Sequence, residues 1–249
     1  MRSAILLLAF LAATATHAQD PSTTVQRDTL TLLDSARSRP IQVALYHAQG
    51  QPTKGLPVVL FSHGYNDNLP GSYLGYVYLM RAMAAAGQYV VSVQHELPTD
   101  PVLIRTGDAR VVRRPSWDRG VQNLLFVLRE LHQLHPELDY QHLTVMGHSQ
   151  GGDISMLFAE QHPELLHRVI SLDNRRMPLP RTEHPQVGSL RSSDMPPDEG
   201  VLPDAQEAER YHMRIVPLPA TIHNAMGDNG TPAQQAEIIR YVLEFLRQP

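Results

Sequence analysis

Apolar residues recur with two different periods along this chain, and the two periods predict strands and helices. Residues 28–34 and 41–46 alternate apolar with polar side chains, which predicts an antiparallel hairpin at a sheet edge. Residues 57–62 are almost continuously apolar, as is typical of a strand buried on both faces of a parallel sheet. Further strands are predicted at 89–93, 143–146, 168–172, 186–190 and 213–218.

Segments with apolar residues at helical spacing lie between these strands. The predicted helices cover 73–86, 116–135 with Ser116 as N-cap, 152–160, and 232–247. Strands that alternate with helices predict an α/β fold, with a doubly wound, mostly parallel sheet and a ligand site beyond the carboxyl ends of the strands. Only residues 173–185 separate two of the strands, which is too short for a helical cap. We therefore expect no cap domain and an open site.

Length and charge restrict the class of protein further. The chain has 249 residues, of which 42% are hydrophobic, so it can bury one sizeable core. Its formal net charge of −4 and the absence of a run of like charges argue against nucleic acid as a partner. Nothing in the sequence indicates an oligomeric state.

The first residues have the pattern of a secretory signal peptide. Arg2 supplies a positive charge, residues 4–13 form a short apolar core, and small residues precede a cleavage site after Ala18. The apolar run is about half of the roughly 20 residues that span a bilayer, so we expect no stable membrane anchor. We predict a removed signal peptide over 1–18, a flexible segment over 19–27 and one domain over 28–249, in a secreted or periplasmic protein.

The most informative motif directly follows the predicted strand 143–146. Residues 147–151 read Gly-His-Ser-Gln-Gly and match the G-x-S-x-G nucleophile elbow, with a predicted strand before it and a predicted helix after it. Gly147 and Gly151 remove side chains that would collide where strand and helix meet. Ser149 is thereby exposed at the carboxyl end of a strand, and we interpret it as a candidate nucleophile.

A serine hydroxyl needs a base and a carboxylate that orients the base. His223 is the candidate base, because it follows the last predicted strand and precedes the last helix. Asp194 is the preferred acid: it follows strand 186–190 by a short turn and precedes His223 in the chain. Asp173, which directly ends the preceding strand, is the alternative acid. Asp198 and Glu199 are more remote candidates on the same loop as Asp194.

Backbone donors and loop side chains complete the predicted site. The N–H groups of Gln150, at a helix N-terminus, and of Tyr65, after strand 57–62, are expected to form an oxyanion hole. Tyr65, His95 and Arg175 are candidate substrate-binding residues. Arginines on the loops could form a positive rim that attracts anionic substrates, although ordinary solvation explains most of them. These arginines are Arg105, Arg110, Arg113, Arg114, Arg175, Arg176 and Arg181.

Residues 61–65, residues 147–152, Asp194 and His223 together resemble the α/β-hydrolase superfamily, and in particular its lidless secreted esterases and lipase-like hydrolases. The resemblance covers residues 28–248. It implies a serine hydrolase that cleaves the ester bond of a small molecule through an acyl-enzyme, and we expect no cofactor and no metal. Peptidase, thioesterase and acyltransferase activities remain open, because the fold hosts all of them. A non-catalytic binding protein is the alternative from a different class.

Overall fold

Within residues 23–248, which this computed structural model describes, eight strands form one sheet. Their order across the sheet is β1-β2-β4-β3-β5-β6-β7-β8. The strands are β1 Val25–Asp34, β2 Arg39–Ala48, β3 Pro57–Ser62, β4 Tyr89–Val93, β5 Asp139–His148, β6 Arg168–Leu172, β7 Gln186–Arg191 and β8 Arg214–Pro217. The predicted signal peptide lies outside the described residues.

The sheet combines an antiparallel hairpin at one edge with six strands, β3 to β8, that pair in parallel. β1 and β2 pair antiparallel, and β2 joins the rest of the sheet by an antiparallel pairing with β4. The remaining five pairings are parallel. The predicted α/β fold with a mostly parallel sheet is therefore confirmed. β1 begins at Val25, so residues 25–27 belong to a strand and not to the predicted flexible segment.

Helices cover both faces of this sheet. They are α1 Val77–Ala85, α2 Ala109–Val112, α3 Arg114–Leu134, α4 Gln150–Gln161, α5 Ala205–Arg210 and α6 Pro232–Leu246. Alternate residues of β3 point to opposite faces: Val58 and Leu60 join the core under α3 and α4, and Val59 and Phe61 join the core under α1 and α6. This two-sided burial explains why the strand is continuously apolar.

Two helix predictions need correction, and two short helices, α2 and α5, lie where no helix was predicted. The predicted helix 73–86 is divided into a 3₁₀ turn, Ser72–Leu74, and α1, because Tyr76 adopts φ +59° between them. α3 begins at Arg114, so Ser116 lies inside its first turn and is not the N-cap. The short helix α5, which Asp204 and Glu207 start with a capping box, was not predicted.

The carboxyl ends of the parallel strands carry loops and no cap domain in the part of the chain that the structure describes. Residues 173–185 contain no helix, as expected from their length. A 3₁₀ turn, His223–Met226, lies between β8 and α6. None of the described helices is both long and apolar enough to cross a membrane.

Candidate active site

Ser149 lies in the sharp turn between β5 and α4. Its backbone has φ 53° and ψ −118°, a conformation that a residue with a side chain rarely adopts. The turn is closely packed, because a Cβ on Gly147 would lie 2.4 Å from the carbonyl of Gly151, and a Cβ on Gly151 would lie 2.1 Å from the carbonyl oxygen of Ser62. The two glycines are therefore required for steric reasons, as the motif predicted.

A chain of hydrogen bonds leads from Ser149 to a buried carboxylate. The Oγ of Ser149 is 3.0 Å from Nε2 of His223, and Nδ1 of His223 is 2.6 Å from Oδ2 of Asp173. A carboxylate only accepts, so Nδ1 carries the proton and Nε2 is left to accept the proton of the Ser149 hydroxyl. This arrangement can convert the hydroxyl of Ser149 into a nucleophile.

Asp173 is fully buried and held in its charged form. Its carboxylate accepts hydrogen bonds from the N–H and the Oγ–H of Ser192, at 3.0 and 2.6 Å, and forms an ion pair with Arg191 at 3.0 Å. Burial raises the pKa of Asp173, but the hydrogen bond from His223 and the charge of Arg191 outweigh burial, so the pKa lies below its usual value. A charged carboxylate stabilises a protonated His223.

The structure reverses the expected order of the two aspartates. Oδ1 of Asp194 accepts the backbone N–H of His223 at 2.7 Å, and it is Asp173 that contacts the imidazole. The reason is local geometry: Asp173 takes φ +57° directly after β6, which turns its side chain toward His223. A left-handed aspartate is uncommon and has no signal in the sequence. Asp194 instead fixes the backbone of the loop that carries His223.

A second histidine, His148, packs directly on His223. The two ring centres are 4.5 Å apart, and Nε2 of His148 is 3.1 Å from the carbonyl oxygen of His223. Because a carbonyl only accepts, Nε2 carries the proton, and Nδ1 accepts the hydroxyl of Tyr76 at 2.8 Å. That hydroxyl in turn accepts the N–H of Gly64 at 3.3 Å. Burial, followed by the nearby His223, lowers the pKa of His148 to about 3, so its ring is neutral.

Of the two expected oxyanion donors, Gln150 directly follows Ser149 and Tyr65 lines the same cavity as Ser149. Gln150 is the first residue of α4, where backbone N–H groups have no partner within the helix. Its side chain is buried and donates to Glu96 at 2.8 Å and to Ser116 at 3.1 Å, which fixes the start of the helix. Tyr65 lines the cavity at Ser149, and its hydroxyl accepts the N–H of Leu103 at 3.0 Å.

Two expected substrate-binding residues are not at this cavity. His95 is buried, and its Nε2 is 2.9 Å from Oγ of Ser62, inside the fold. Burial, followed by the charges of His63 and Arg39, lowers the pKa of His95 well below its usual value. The guanidinium of Arg175 contacts the carbonyl of Pro196 at 3.3 Å and the sulfur of Met195 at 3.0 Å.

The expected positive rim is also absent from the lining of this cavity within the described residues. Arg105 pairs with Asp67 and Arg114 with Asp118. Arg176 pairs with Asp198. Arg181 donates to four carbonyl groups of its own surroundings. Most of these arginines therefore hold loops together or pair with nearby acids.

The cavity beside Ser149 has a volume of about 370 Å³. Much of its wall is formed by two segments that were not predicted to belong to the site: the residues just before α1 and the residues just after His223. Both segments contain several Gly residues, and the second also contains Asn residues directly after the candidate base, which was the indication available in the sequence. The lining residues are His63, Gly64, Tyr65, Asn66, Gly71, Ser72, Gly75, Tyr76, His148, Ser149, His223, Asn224, Gly227, Asp228 and Asn229.

A larger cavity, of about 580 Å³, lies elsewhere on the molecule. It includes Ala159 and Glu160 near the end of α4, and at 1.5 Å per residue that end is about 15 Å along the helix from Ser149. Among residues 23–248, no group of three or more His, Cys, Asp or Glu side chains could hold a metal ion. The chemistry described above is therefore confined to the smaller cavity.

Sequence comparison agrees with this architecture. A family model described as the alpha/beta hydrolase fold matches residues 63–193, which is more than half of the chain. The chain belongs to the α/β-hydrolase family. The matched region of this α/β-hydrolase begins in the loop after β3, includes the turn at Ser149, and ends just after β7.

Solved structures with the same fold include hydrolases with different printed activities. An esterase of Pyrobaculum calidifontis superposes with a TM-score of 0.65 at 13% identity, covering 89% of this chain and 84% of the esterase. Brefeldin A esterase, a bacterial homologue of human hormone-sensitive lipase, gives 0.61 at 16% identity, covering 96% and 80%. An acylaminoacyl peptidase of Pyrococcus horikoshii gives 0.63 at 14% identity, covering 90% and 41%. At these identities the similarity shows the fold alone.

Proposed function

We propose that this α/β-hydrolase is a serine esterase that cleaves the carboxylic ester of a small molecule through an acyl-enzyme. The proposal rests on two consecutive hydrogen bonds, from Oγ of Ser149 to His223 and from His223 to Asp173. Several solved structures of the same fold are esterases, which makes ester hydrolysis the first of the possible acyl transfers to test. In this proposal Asp173, and not Asp194, orients the base.

The proposed reaction has two halves. Oγ of Ser149 attacks the ester carbonyl while Nε2 of His223 takes its proton, and the N–H groups of Gln150 and Tyr65 stabilise the oxyanion. The protonated His223 then gives its proton to the departing alcohol, which leaves an acyl group on Ser149. In the second half His223 removes a proton from water as the water oxygen attacks the acyl carbon. The bond between that carbon and Oγ of Ser149 then breaks, the carboxylic acid leaves, and Oγ takes its proton back from His223.

We also propose that the site works without a lid. Support comes from the loop 173–185, which contains no helix, and from a cavity whose wall consists of short turns. An uncovered nucleophile suits small, water-soluble esters better than long acyl chains that need an apolar tunnel.

Replacement of Ser149 by Ala tests the proposed nucleophile. The variant should not hydrolyse a short-chain activated ester and should not react with a fluorophosphonate, because both need an activated serine. Hydrolysis retained at more than about a hundredth of the original rate in a pure preparation would contradict the proposal.

A matched pair of variants tests the choice of acid. Asp173→Asn should lower kcat by about 10³- to 10⁴-fold, because the amide no longer stabilises the imidazolium form of His223. Asp194→Asn keeps an oxygen that can accept the backbone N–H of His223, so a loss below about tenfold is expected. The opposite result would return Asp194 to the role that the sequence suggested.

A further inference from the structure

The wall of the cavity beside Ser149 has an unusual composition for a site that binds an ester. It is formed by backbone of glycine residues and by the side chains of asparagines, serines, three histidines, two tyrosines and one aspartate, and no Lys, Arg, Val, Leu, Ile, Met or Phe lines it within the described residues. Pockets for apolar acyl chains are lined mainly by apolar side chains. This cavity therefore does not favour a fatty acyl group.

One side chain in the wall carries a fixed charge, and it is acidic. Asp228 lies in the loop between the 3₁₀ turn at His223 and α6. Its Oδ1 accepts the N–H of Tyr78, in the first turn of α1, at 3.4 Å. Its Oδ2 lies beside Gly75, at 3.9 Å from the position of a Cβ there, and no hydrogen bond or ion pair among the described residues uses it. One carboxylate oxygen is therefore available to a ligand.

The two tyrosines of the wall carry no positive charge that would repel a cation. Tyr65 and Tyr76 both line the cavity, and the ring of Tyr76 packs against the rings of Phe61 and His148 at centroid distances of 4.8 and 5.6 Å. His148, also in the wall, is held neutral by its burial and adds no positive charge. Within the described lining, an anionic group would meet the charge of Asp228 and no Lys or Arg side chain, whereas a cationic group would meet an acid.

We propose that the cavity selects a cationic group, such as a quaternary ammonium, on the substrate, and that Asp228 determines this selectivity. The proposal rests on the proposed esterase function, since it describes which esters that site accepts. It replaces the expectation of a positive rim for anionic substrates, because the arginines do not line this cavity.

Two pairs of esters test this selectivity, each pair differing only by nitrogen or carbon at one position. The acetate ester of choline and 3,3-dimethylbutyl acetate carry the test group on the alcohol. The ethyl esters of N,N,N-trimethylglycine and of 3,3-dimethylbutanoic acid carry it on the acyl part. For each pair we divide kcat/KM of the cationic ester by kcat/KM of the neutral ester, in the wild type and in Asp228→Asn. Comparing this ratio between the two proteins removes the difference in intrinsic reactivity between the esters.

For at least one pair the ratio should fall about threefold to fivefold in Asp228→Asn, as expected for one partly exposed ion pair. The ratio should also fall in the wild type at 0.5 M salt, at which the Debye length is only about 4–5 Å. The matched control is Glu160→Gln, which removes the same charge at the larger cavity and should leave both ratios unchanged. Unchanged ratios in Asp228→Asn, or an equal fall in Glu160→Gln, would overturn the proposal.

Binding without turnover separates this inference from the proposed function. In a Ser149→Ala background, calorimetry should show the cationic member of a pair binding about threefold to fivefold more tightly than its neutral isostere, with the difference lost in Ser149→Ala/Asp228→Asn. Such a preference in a protein that hydrolyses neither ester in its wild-type form would retain the cation site and reject the esterase function. Hydrolysis of both esters without a binding preference would support the esterase function and reject the cation site.

Discussion

His223 is the residue on which the proposed chemistry depends, and two neighbours control it from different sides. Asp173 faces Nδ1 with a charge, whereas His148 faces the ring at 4.5 Å without one. A protonated His148 at that distance would oppose protonation of His223. Because burial lowers the pKa of His148 to about 3, its neutral ring places no positive charge beside His223, whose Nε2 faces Oγ of Ser149.

The hydroxyl of Tyr76 connects the backbone at His223 with the backbone at Gly64, and the proposed catalysis needs a fixed distance between these two segments. It donates to Nδ1 of His148, whose other nitrogen holds the carbonyl of His223, and it accepts the N–H of Gly64, next to Tyr65. Tyr76→Phe removes both bonds and keeps the ring. We expect kcat to fall about tenfold with little change in KM, because misplaced catalytic groups slow the chemical step.

Tyr140→Phe is the matched control for this variant. The hydroxyl of Tyr140 donates to the carbonyl of His135 at 3.0 Å, at the start of β5 and therefore at the opposite end of that strand from Ser149. Each variant should lose about 1 kcal/mol of unfolding free energy for its hydrogen bonds, and only Tyr76→Phe should lose turnover. Equal kcat values for the two variants would show that the Tyr76 hydroxyl only stabilises the fold.

At the level of elements, α4 organises the loops around the nucleophile as well as the nucleophile itself. Asp153, in its first turn, is buried and accepts the N–H groups of Arg176 and Met177, each at 2.9 Å, and of Arg175 at 3.2 Å. Burial raises the pKa of Asp153, opposed by these hydrogen bonds. The loop that follows Asp173 is thereby attached to the helix that follows Ser149.

The contact between the start of α4 and the end of β3 should tolerate no extra methyl group. In Gly151→Ala the new Cβ would lie 2.1 Å from the carbonyl oxygen of Ser62 and 2.5 Å from that of His63, and backbone atoms cannot move aside as a side chain can. Overpacking of this kind costs about 1–3 kcal/mol or more. A drop in Tm of about 5–10 °C is expected, together with loss of activity.

Gly55→Ala provides the comparison, because it introduces backbone strain without a collision. Gly55 has φ +76° and no atom within 4 Å of a Cβ. The decrease in Tm for Gly55→Ala should be less than half of the decrease for Gly151→Ala, and the specific activity of Gly55→Ala should equal that of the wild type. Similar losses for both variants would mean that conformational strain, and not the collision at Ser62, explains the effect.

The strands were predictable from the sequence because local pattern decides them. The run 57–62 was predicted with its observed bounds, since two-sided burial leaves a continuous apolar signature. α5 was missed because its six residues contain no apolar stripe. The contact between Asp173 and His223 could not be predicted, because it depends on one left-handed residue and on a separation of 50 positions along the chain.

For the whole molecule, the buried neutral histidines link stability to pH. Burial lowers the pKa values of His148 and His95, which are fully buried, and of His167, which is partly buried, whereas in the unfolded chain a histidine titrates near 6.5. Below pH 6.5 the unfolded state therefore binds protons that the folded state does not bind, and folding becomes less favourable as pH falls. Asp173 does not contribute in this range, because its lowered pKa affects stability only below about pH 4.

The free energy of unfolding should therefore be nearly constant from pH 8 to 7 and should decrease below pH 6.5, by up to about 1.4 kcal/mol per pH unit for each of the two fully buried histidines and by less for the partly buried His167. Urea unfolding at pH 8, 7, 6 and 5 measures this slope. His148→Asn will be less stable at every pH, but its slope between pH 6 and 5 should be smaller than that of the wild type by up to about 1.4 kcal/mol per pH unit, because its unfolded state has lost one of these protons. An unchanged slope would mean that His148 is protonated in the folded protein. A positive charge on His148 would then oppose protonation of His223, the proposed base.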